Sequence, residues 1–421
     1  MESLGMIRAM PEQQLSCRFC NAALTQSFID LGSTPLANSY VAPSMLAKPD
    51  ASYPLHARVC GACFLVQVDA AVPAEEIFSD YAYFSSYAAS WVEHARIYAM
   101  AMIERFALNT SSKVVEIASN DGYLLRHFVA AGMKVLGVDP AANVAKAAKE
   151  LGVATEVAFF GKNTAARLKA LGHDADLMVA NNVLAHVPDI NDFVAGFAVL
   201  LKPNGVWTIE FPHLMRLIQE NQFDTIYHEH YSYYSLGTVE RILAAHQLRA
   251  FDVETLPTHG GSLRVYACHA SAEHETSERL MALRMREQDA GMDVLETYRG
   301  FGARAGKVKQ ALLDFLNDAK RRGKKVAAYG AAAKGNTLLN YCGVTADLIE
   351  FVVDSNPHKQ GRYLPGSRIP IHAPDTIFAA EPDYVLILPW NLADEICKNM
   401  AGITAWGGKF VIPIPMLRIL D

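Results

Sequence analysis

Two stretches of this chain alternate strand-length apolar runs with helix-patterned segments, and that alternation leaves few architectures open. In the first stretch, Lys113-Val-Val-Glu-Ile117, Lys134-Val-Leu-Gly-Val138, Asp176-Leu-Met-Val-Ala180 and Gly205-Val-Trp-Thr-Ile209 read as buried strands. Helical patterns such as Tyr123–Ala130 and the alanine-rich Ala142–Leu151 lie between them. In the second, the strands are Lys325–Tyr329, Leu348–Val353, Tyr384–Leu388 and Phe410–Ile412. Strands joined through helices pair in parallel, and a parallel sheet needs helices on both faces. The expected fold class is α/β. A central Rossmann-like domain occupies residues 76–300 and a second, smaller Rossmann-like domain residues 301–421. A turn- and cysteine-rich domain over residues 1–75 precedes them. At 421 residues the chain is long enough for several such units.

The N-terminal block carries two C-x-x-C knuckles, Cys17-Arg-Phe-Cys20 and Cys60-Gly-Ala-Cys63. Each spacing lets both thiolates of a pair reach one ion, and two pairs complete a closed tetrahedral site. Zn2+ held by Cys17, Cys20, Cys60 and Cys63 is therefore expected, in a structural role, since four thiolates leave no open position for chemistry. A redox disulfide would need one pair, not two. The other cysteines, Cys268, Cys342 and Cys397, are scattered and read as small core residues.

Ligands of such sheets bind beyond the carboxyl ends of the strands. There the central block places Glu116-Ile-Ala-Ser-Asn-Asp-Gly122, a small-residue turn that opens a helix. Asp139 ends the next strand, where a carboxylate suits two ribose hydroxyls. The turn has one glycine and is not G-x-G-x-x-G, so it matches a dinucleotide pyrophosphate poorly. S-adenosylmethionine carries no phosphate and can use acidic groups. Glu116, Ala118, Asn120, Asp121, Gly122 and Asp139 are the expected cofactor residues, joined by Asn181 and Asn182 at the end of a later strand. His186 follows in the same segment and is a candidate functional group.

Tyr227-His-Glu-His-Tyr-Ser232 is the densest run of proton-transfer groups. It is not H-E-x-x-H, which excludes a zincin site. Imidazole takes a proton near neutral pH, a nearby carboxylate can raise its basicity, and a phenol can donate to an oxyanion. A base with oxyanion donors is what carbon methylation beside a ketone requires. Tyr81-Ala-Tyr-Phe-Ser-Ser86 is a second aromatic-polar run able to face the same pocket. In the last block Lys334 and Lys359 follow strands, and two cations there suit a diphosphate.

Taken in order, these motifs resemble the nucleotide-sugar C-methyltransferases of deoxysugar biosynthesis, which methylate carbon 3 or carbon 5 of a 4-keto hexose. The resemblance spans nearly the whole chain. Besides the knuckles, the cofactor turn and the Tyr-His-Glu-His-Tyr-Ser run, it includes His259-Gly-Gly-Ser-Leu-Arg264 and Tyr329-Gly-Ala-Ala-Ala-Lys-Gly-Asn336. It ends with Asp354-Ser-Asn-Pro-His-Lys-Gln-Gly361 and Leu388-Pro-Trp-Asn391. It implies a zinc domain, a central methyltransferase domain and a C-terminal domain that helps hold the nucleotide. By likeness His230 is the base, Tyr227 and Glu229 support it, and Tyr81 and His186 contact the sugar or its enolate. Substrate contacts would come from Lys334, Asn336, Ser355, Asn356, Lys359 and Trp390. Ala118 departs from the glycine usual at its position, which would alter affinity at most.

The implied substrate is a nucleotide-diphosphate keto sugar, foremost a dTDP-sugar. A net charge of −6 argues against nucleic acid as the main partner. No apolar run has the length of a membrane span or a signal peptide. With an odd cysteine count, this points to a reducing, cytoplasmic setting. Two rivals stay open: a nicotinamide-dependent nucleotide-sugar dehydrogenase or epimerase, and a zinc-containing adaptor or RNA-modifying protein.

Overall fold

The computed structural model describes residues 15–69, 72–73, 85–87 and 89–420. Three sheets organise them. The first is antiparallel, in the order β1 (Gln26–Thr34), β2 (Tyr53–Val59), β3 (Val66–Val68) and β9 (Ser232–Tyr233). The second has seven strands. β4 (Lys113–Ile117), β5 (Lys134–Asp139), β6 (Thr155–Val157), β7 (Ala175–Asn181) and β8 (Leu201–Pro212) run parallel, and β10 (Leu248–Leu256) and β11 (Ser262–His269) close one side. Its order is β10-β11-β8-β7-β4-β5-β6, with β11 antiparallel to both neighbours. The third sheet contains β12 (Val326–Tyr329), β13 (Val352–Val353), β14 (Ile371–His372), β15 (Tyr384–Ile387), β16 (Lys409–Ile412) and β17 (Arg418–Leu420). It runs β14-β13-β12-β15-β16-β17 and is parallel except for its last strand.

The α/β reading with two Rossmann-like sheets and a cysteine-bearing N-terminal segment matches this architecture. β4 coincides with the expected run. The expected strand Leu348–Val353 is shorter, since only Val352–Val353 pair, parallel to β12 and β14. In the second sheet the chain leaves β4 toward β5 on one side and later returns to β7 on the other. That reversal opens a crevice at the carboxyl ends of β4 and β7.

The first sheet does not build a core of its own. Phe28, Leu31, Leu55, Ala57 and Val66 are buried in one cluster with Phe301, Ala305 and Leu312 of the helix Phe301–Arg321. Val326, Leu339 and Val352 of the third sheet's layer belong to the same cluster. Phe28 stacks on Phe301 at 4.5 Å. A four-stranded sheet of this size buries too little apolar surface to stand alone, so docking and metal binding compensate. β9 is the second tie: it comes from the middle of the chain, directly after the Tyr227–Tyr231 segment.

Candidate active site and metal knot

The sulfurs of Cys17, Cys20, Cys60 and Cys63 all lie within 4.8 Å of one another, a spacing a single tetrahedral ion can satisfy. Asn21 and Phe64, each following the second cysteine of its knuckle, have φ of 60° and 62°. Those left-handed residues turn the chain after each knuckle, and within the second knuckle the Ala62 amide donates to the Cys60 sulfur at 3.4 Å. Gln67 Nε2 donates to Cys17 Sγ at 3.3 Å and fixes that ligand from outside. Gln67 also sits in β3, opposite Ser232 of β9. A hydrogen-bonded path therefore links the metal site to the Tyr227–Ser232 run.

At the carboxyl ends of β4 and β5 the expected cofactor residues converge. Ala118, Asn120 and Gly122 all have positive φ, of 58°, 50° and 78°. At Gly122 a Cβ would lie 3.1–3.3 Å from Val153 and Ala148, so the turn is pressed against the helix behind it. Asp139 accepts from the amides of Asn120 and Ala141, both at 2.9 Å. Ser85 and Ser86 bind the turn from the other side, through Asn120 Oδ1 and Asp121 Oδ2 at 3.0 Å each. Buried Glu116 Oε2, Asp121 Oδ1 and both polar atoms of the Asn182 side chain have no partner among the described residues. Orphaned groups around one crevice are what a polar ligand such as S-adenosylmethionine would satisfy. Burial, with Asp139 and Asp121 nearby, pushes the Glu116 carboxyl well above its usual range. Protonated, it can donate as well as accept.

The Tyr227–Ser232 run folds beside this crevice. His230 Nδ1 lies 3.1 Å from the Thr225 carbonyl, so Nδ1 carries the proton and Nε2 the lone pair. The Tyr227 hydroxyl donates to that Nε2 at 2.7 Å. His186 Nδ1 donates to the Glu229 carbonyl at 2.9 Å, and the two imidazole rings meet edge to face at 4.7 Å. Burial holds His186 down to about 4 and His230 well below 6.5. Two adjacent neutral imidazoles result. The Glu229 carboxylate does not reach His230. Its support runs through the main chain to His186, and both its oxygens accept from Asn38 Nδ2, at 2.8 and 3.0 Å.

Asn38 had no signature in the sequence, lying in a polar loop between two strands. Removing it leaves a buried carboxylate, already pushed upward by burial, without its amide. Asn38→Ala is expected to cost about 1–3 kcal/mol of stability, read from denaturant unfolding at neutral pH. Asp224 likewise has no signature in the sequence. It is fully buried, accepts from Trp390 Nε1 at 2.7 Å, and is pushed up to about 7 by burial.

The third sheet reaches the same cleft. Lys334 Nζ is 3.0 Å from Asn391 Oδ1, 3.4 Å from the His259 carbonyl and 4.8 Å from the Trp390 ring centre. Burial lowers it to about 8, opposed by Asp224. The remaining expected substrate residues are arranged differently. Lys359 is bound to the Ala331 carbonyl at 2.8 Å and lies 3.5 Å from Asp354. Asn336 Nδ2 donates to the Ala37 carbonyl at 2.6 Å. Asn356 caps a turn, accepting from the His358 amide, and Ser355 is exposed. Tyr81 lies outside the described residues.

Comparison with known proteins bears on this arrangement. The C-methyltransferase NovU of Streptomyces niveus is 37% identical over 405 residues, covering 96% of each chain. The chain belongs to the C-methyltransferase family. Family models match along its length: a zinc binding domain over residues 17–78, a methyltransferase domain over 91–252 and a C-methyltransferase C-terminal domain over 257–415. A ubiquinone biosynthesis O-methyltransferase of Rhodopseudomonas palustris is 28% identical over 97 residues, 23% of this chain and 38% of that one. Among solved structures, the magnesium protoporphyrin IX methyltransferase of Synechocystis with bound S-adenosylmethionine aligns over 42% of this chain and 79% of its own. Its identity is 14% and the TM-score 0.33. This C-methyltransferase is thus S-adenosylmethionine-dependent and carries a zinc-binding N-terminal segment. No helix among its described residues is long and apolar enough to cross a membrane.

Proposed function

We propose that this C-methyltransferase methylates carbon 3 or carbon 5 of a nucleotide-linked 4-keto deoxysugar, with a dTDP-sugar as the first candidate. The observation that carries the reading is the bonding of His230. Its Nδ1–H is committed to Thr225, so the lone pair faces Tyr227 and the cleft. A carbon beside a ketone is acidic enough for an imidazole to deprotonate if the enolate oxygen is held. In the proposed sequence substrate displaces the Tyr227 hydroxyl from Nε2. The C–H bond breaks, the proton moves to Nε2, and its electrons pass into the enolate. Tyr227 then donates to the oxyanion, while His186, whose Nδ1–H is committed to the Glu229 carbonyl, would offer its Nε2 lone pair to a sugar hydroxyl. S-adenosylmethionine, when bound, supplies an electrophilic methyl group.

The chain's residues would hold that cofactor with Glu116, Ala118, Asn120, Asp121, Gly122 and Asp139, assisted by Asn181 and Asn182. Asp139 would offer the ribose the lone pairs its two backbone bonds leave. Lys334 and Trp390 would face the substrate, with Asn336, Ser355, Asn356 and Lys359 further along the same sheet edge. Tyr81 would complete the sugar contacts. Residues 1–75, 76–300 and 301–421 would thus divide into metal-held support, chemistry and nucleotide binding, in a cytoplasmic enzyme.

The test is mass spectrometry of reactions with a panel of nucleotide 4-keto sugars, then NMR of any product. A gain of one methyl on carbon supports the reading; no gain with any keto sugar rejects it. The lowered imidazoles give a second expectation. A base must be neutral to act, and a folded-state value well below 6.5 keeps His230 neutral into the acid range. kcat/KM should stay flat as pH falls through 6.5 and decline only well below it. A decline centred on 6.5 would mean the base is an ordinary exposed imidazole.

A further inference from the structure

His259 lies on the turn between β10 and β11, and neither the metal, the cofactor loop nor the proposed base uses it. Its backbone is left-handed, at φ 56° and ψ 19°, uncommon for a residue with a side chain. Gly260 and Gly261 continue at φ 89° and 113°. At Gly260 a Cβ would come within 2.4 Å of the Trp390 ring, so that position can only be glycine. The turn is pinned from four sides. The Gln222 side chain donates to the Gly260 carbonyl at 2.8 Å, and the His213 amide to the Gly261 carbonyl at 3.0 Å. Lys334 donates to the carbonyl of His259 itself, and Ser262 Oγ to that of Thr258 at 2.9 Å.

The ring this turn presents makes an aromatic contact, but among the described residues its Nε2 makes no hydrogen bond. Its edge-on neighbour is Trp91, at 5.5 Å between centres, and Trp91 in turn stacks on His94 at 4.9 Å. His259 Nε2 is buried and has no hydrogen-bond partner among the described residues. Burial, with Lys334 adding to it, takes the imidazole down to about 4. His186, His230 and His259 lie in one another's electrostatic reach, beside Lys334. An enclosed polar atom left unpaired, on a strained segment held by several elements, is the pattern of a ligand contact.

We propose that His259 is a third histidine of the substrate cleft, whose neutral ring hydrogen-bonds an oxygen of the sugar and fixes which face of it meets His230. This rests on the keto-sugar reading above. The strained turn supplies the test. His259→Gly suits the left-handed backbone, so the variant should melt at or above the wild-type temperature. It should keep wild-type affinity for S-adenosylmethionine by calorimetry. Its kcat/KM for the keto sugar found in the panel should fall at least about tenfold, the size of one lost hydrogen bond. His259→Asn tolerates the same backbone and keeps an N–H donor, so it should recover part of the loss. Wild-type kcat/KM in His259→Gly would overturn the assignment, and so would a melting temperature that falls together with activity. A wild-type enzyme that methylates no nucleotide keto sugar would overturn this proposal and the functional reading together.

Discussion

His230→Ala should lower kcat by about 10²–10⁴-fold, the range a positioned proton acceptor supplies, while calorimetric affinity for S-adenosylmethionine stays nearly unchanged. The reason is local. His230 touches Tyr227 and Thr225, whereas the cofactor turn is held by Asp139, Ser85 and Ser86. Tyr227→Phe is the informative companion. It removes the hydroxyl that caps Nε2 but leaves the base and its Thr225 bond, so its loss should be smaller. If both variants lose the same amount, the two groups act as one unit and the proton path runs through the phenol. If His230→Ala turns over normally, another residue is the base.

Removing the metal should have an effect as large without touching the reacting atoms. Structural zinc contributes apparent binding energies of about 10–16 kcal/mol, comparable with a domain's whole stability of about 5–15 kcal/mol. Stripping the ion with a chelator, or Cys60→Ser, should unfold β1, β2 and β3 and abolish turnover. Asn38 would leave Glu229, and β9 would lose its partner, so the Tyr227–Ser232 run would lose its anchors. β4, β5 and β7 pair with one another and not with the first sheet, so cofactor binding should persist. Zinc release followed by a thiol-reactive dye, alongside turnover and calorimetry, checks the coupling. Full activity in metal-free protein would show that the knot is incidental to catalysis.

The parallel strands were legible because their side chains are buried on both faces and read as continuous apolar runs. β13 is shorter than its apolar run because Ile349 and Phe351 are buried in the core while regular pairing begins only at Val352. The four cysteines were legible because metal geometry dictates their spacing. What the sequence concealed was the company kept across long separations. Nothing near Asn38 announces a partner at Glu229, and nothing near Asp224 announces Trp390. The Glu229 carboxylate sits beside His230 in sequence, yet the turn sends it to Asn38 and leaves only the carbonyl for His186. Lys359 read as a free cation because its ties to Ala331 and Asp354 form only when the third sheet folds.

The strand that leaves the reactive turn is stitched into a sheet made almost wholly from the first seventy residues. The enzyme is therefore not a string of interchangeable modules. Transplanting the N-terminal segment of a relative would retune the angle of a distant imidazole, and cutting that segment away would leave the reactive turn without the sheet that holds its far end.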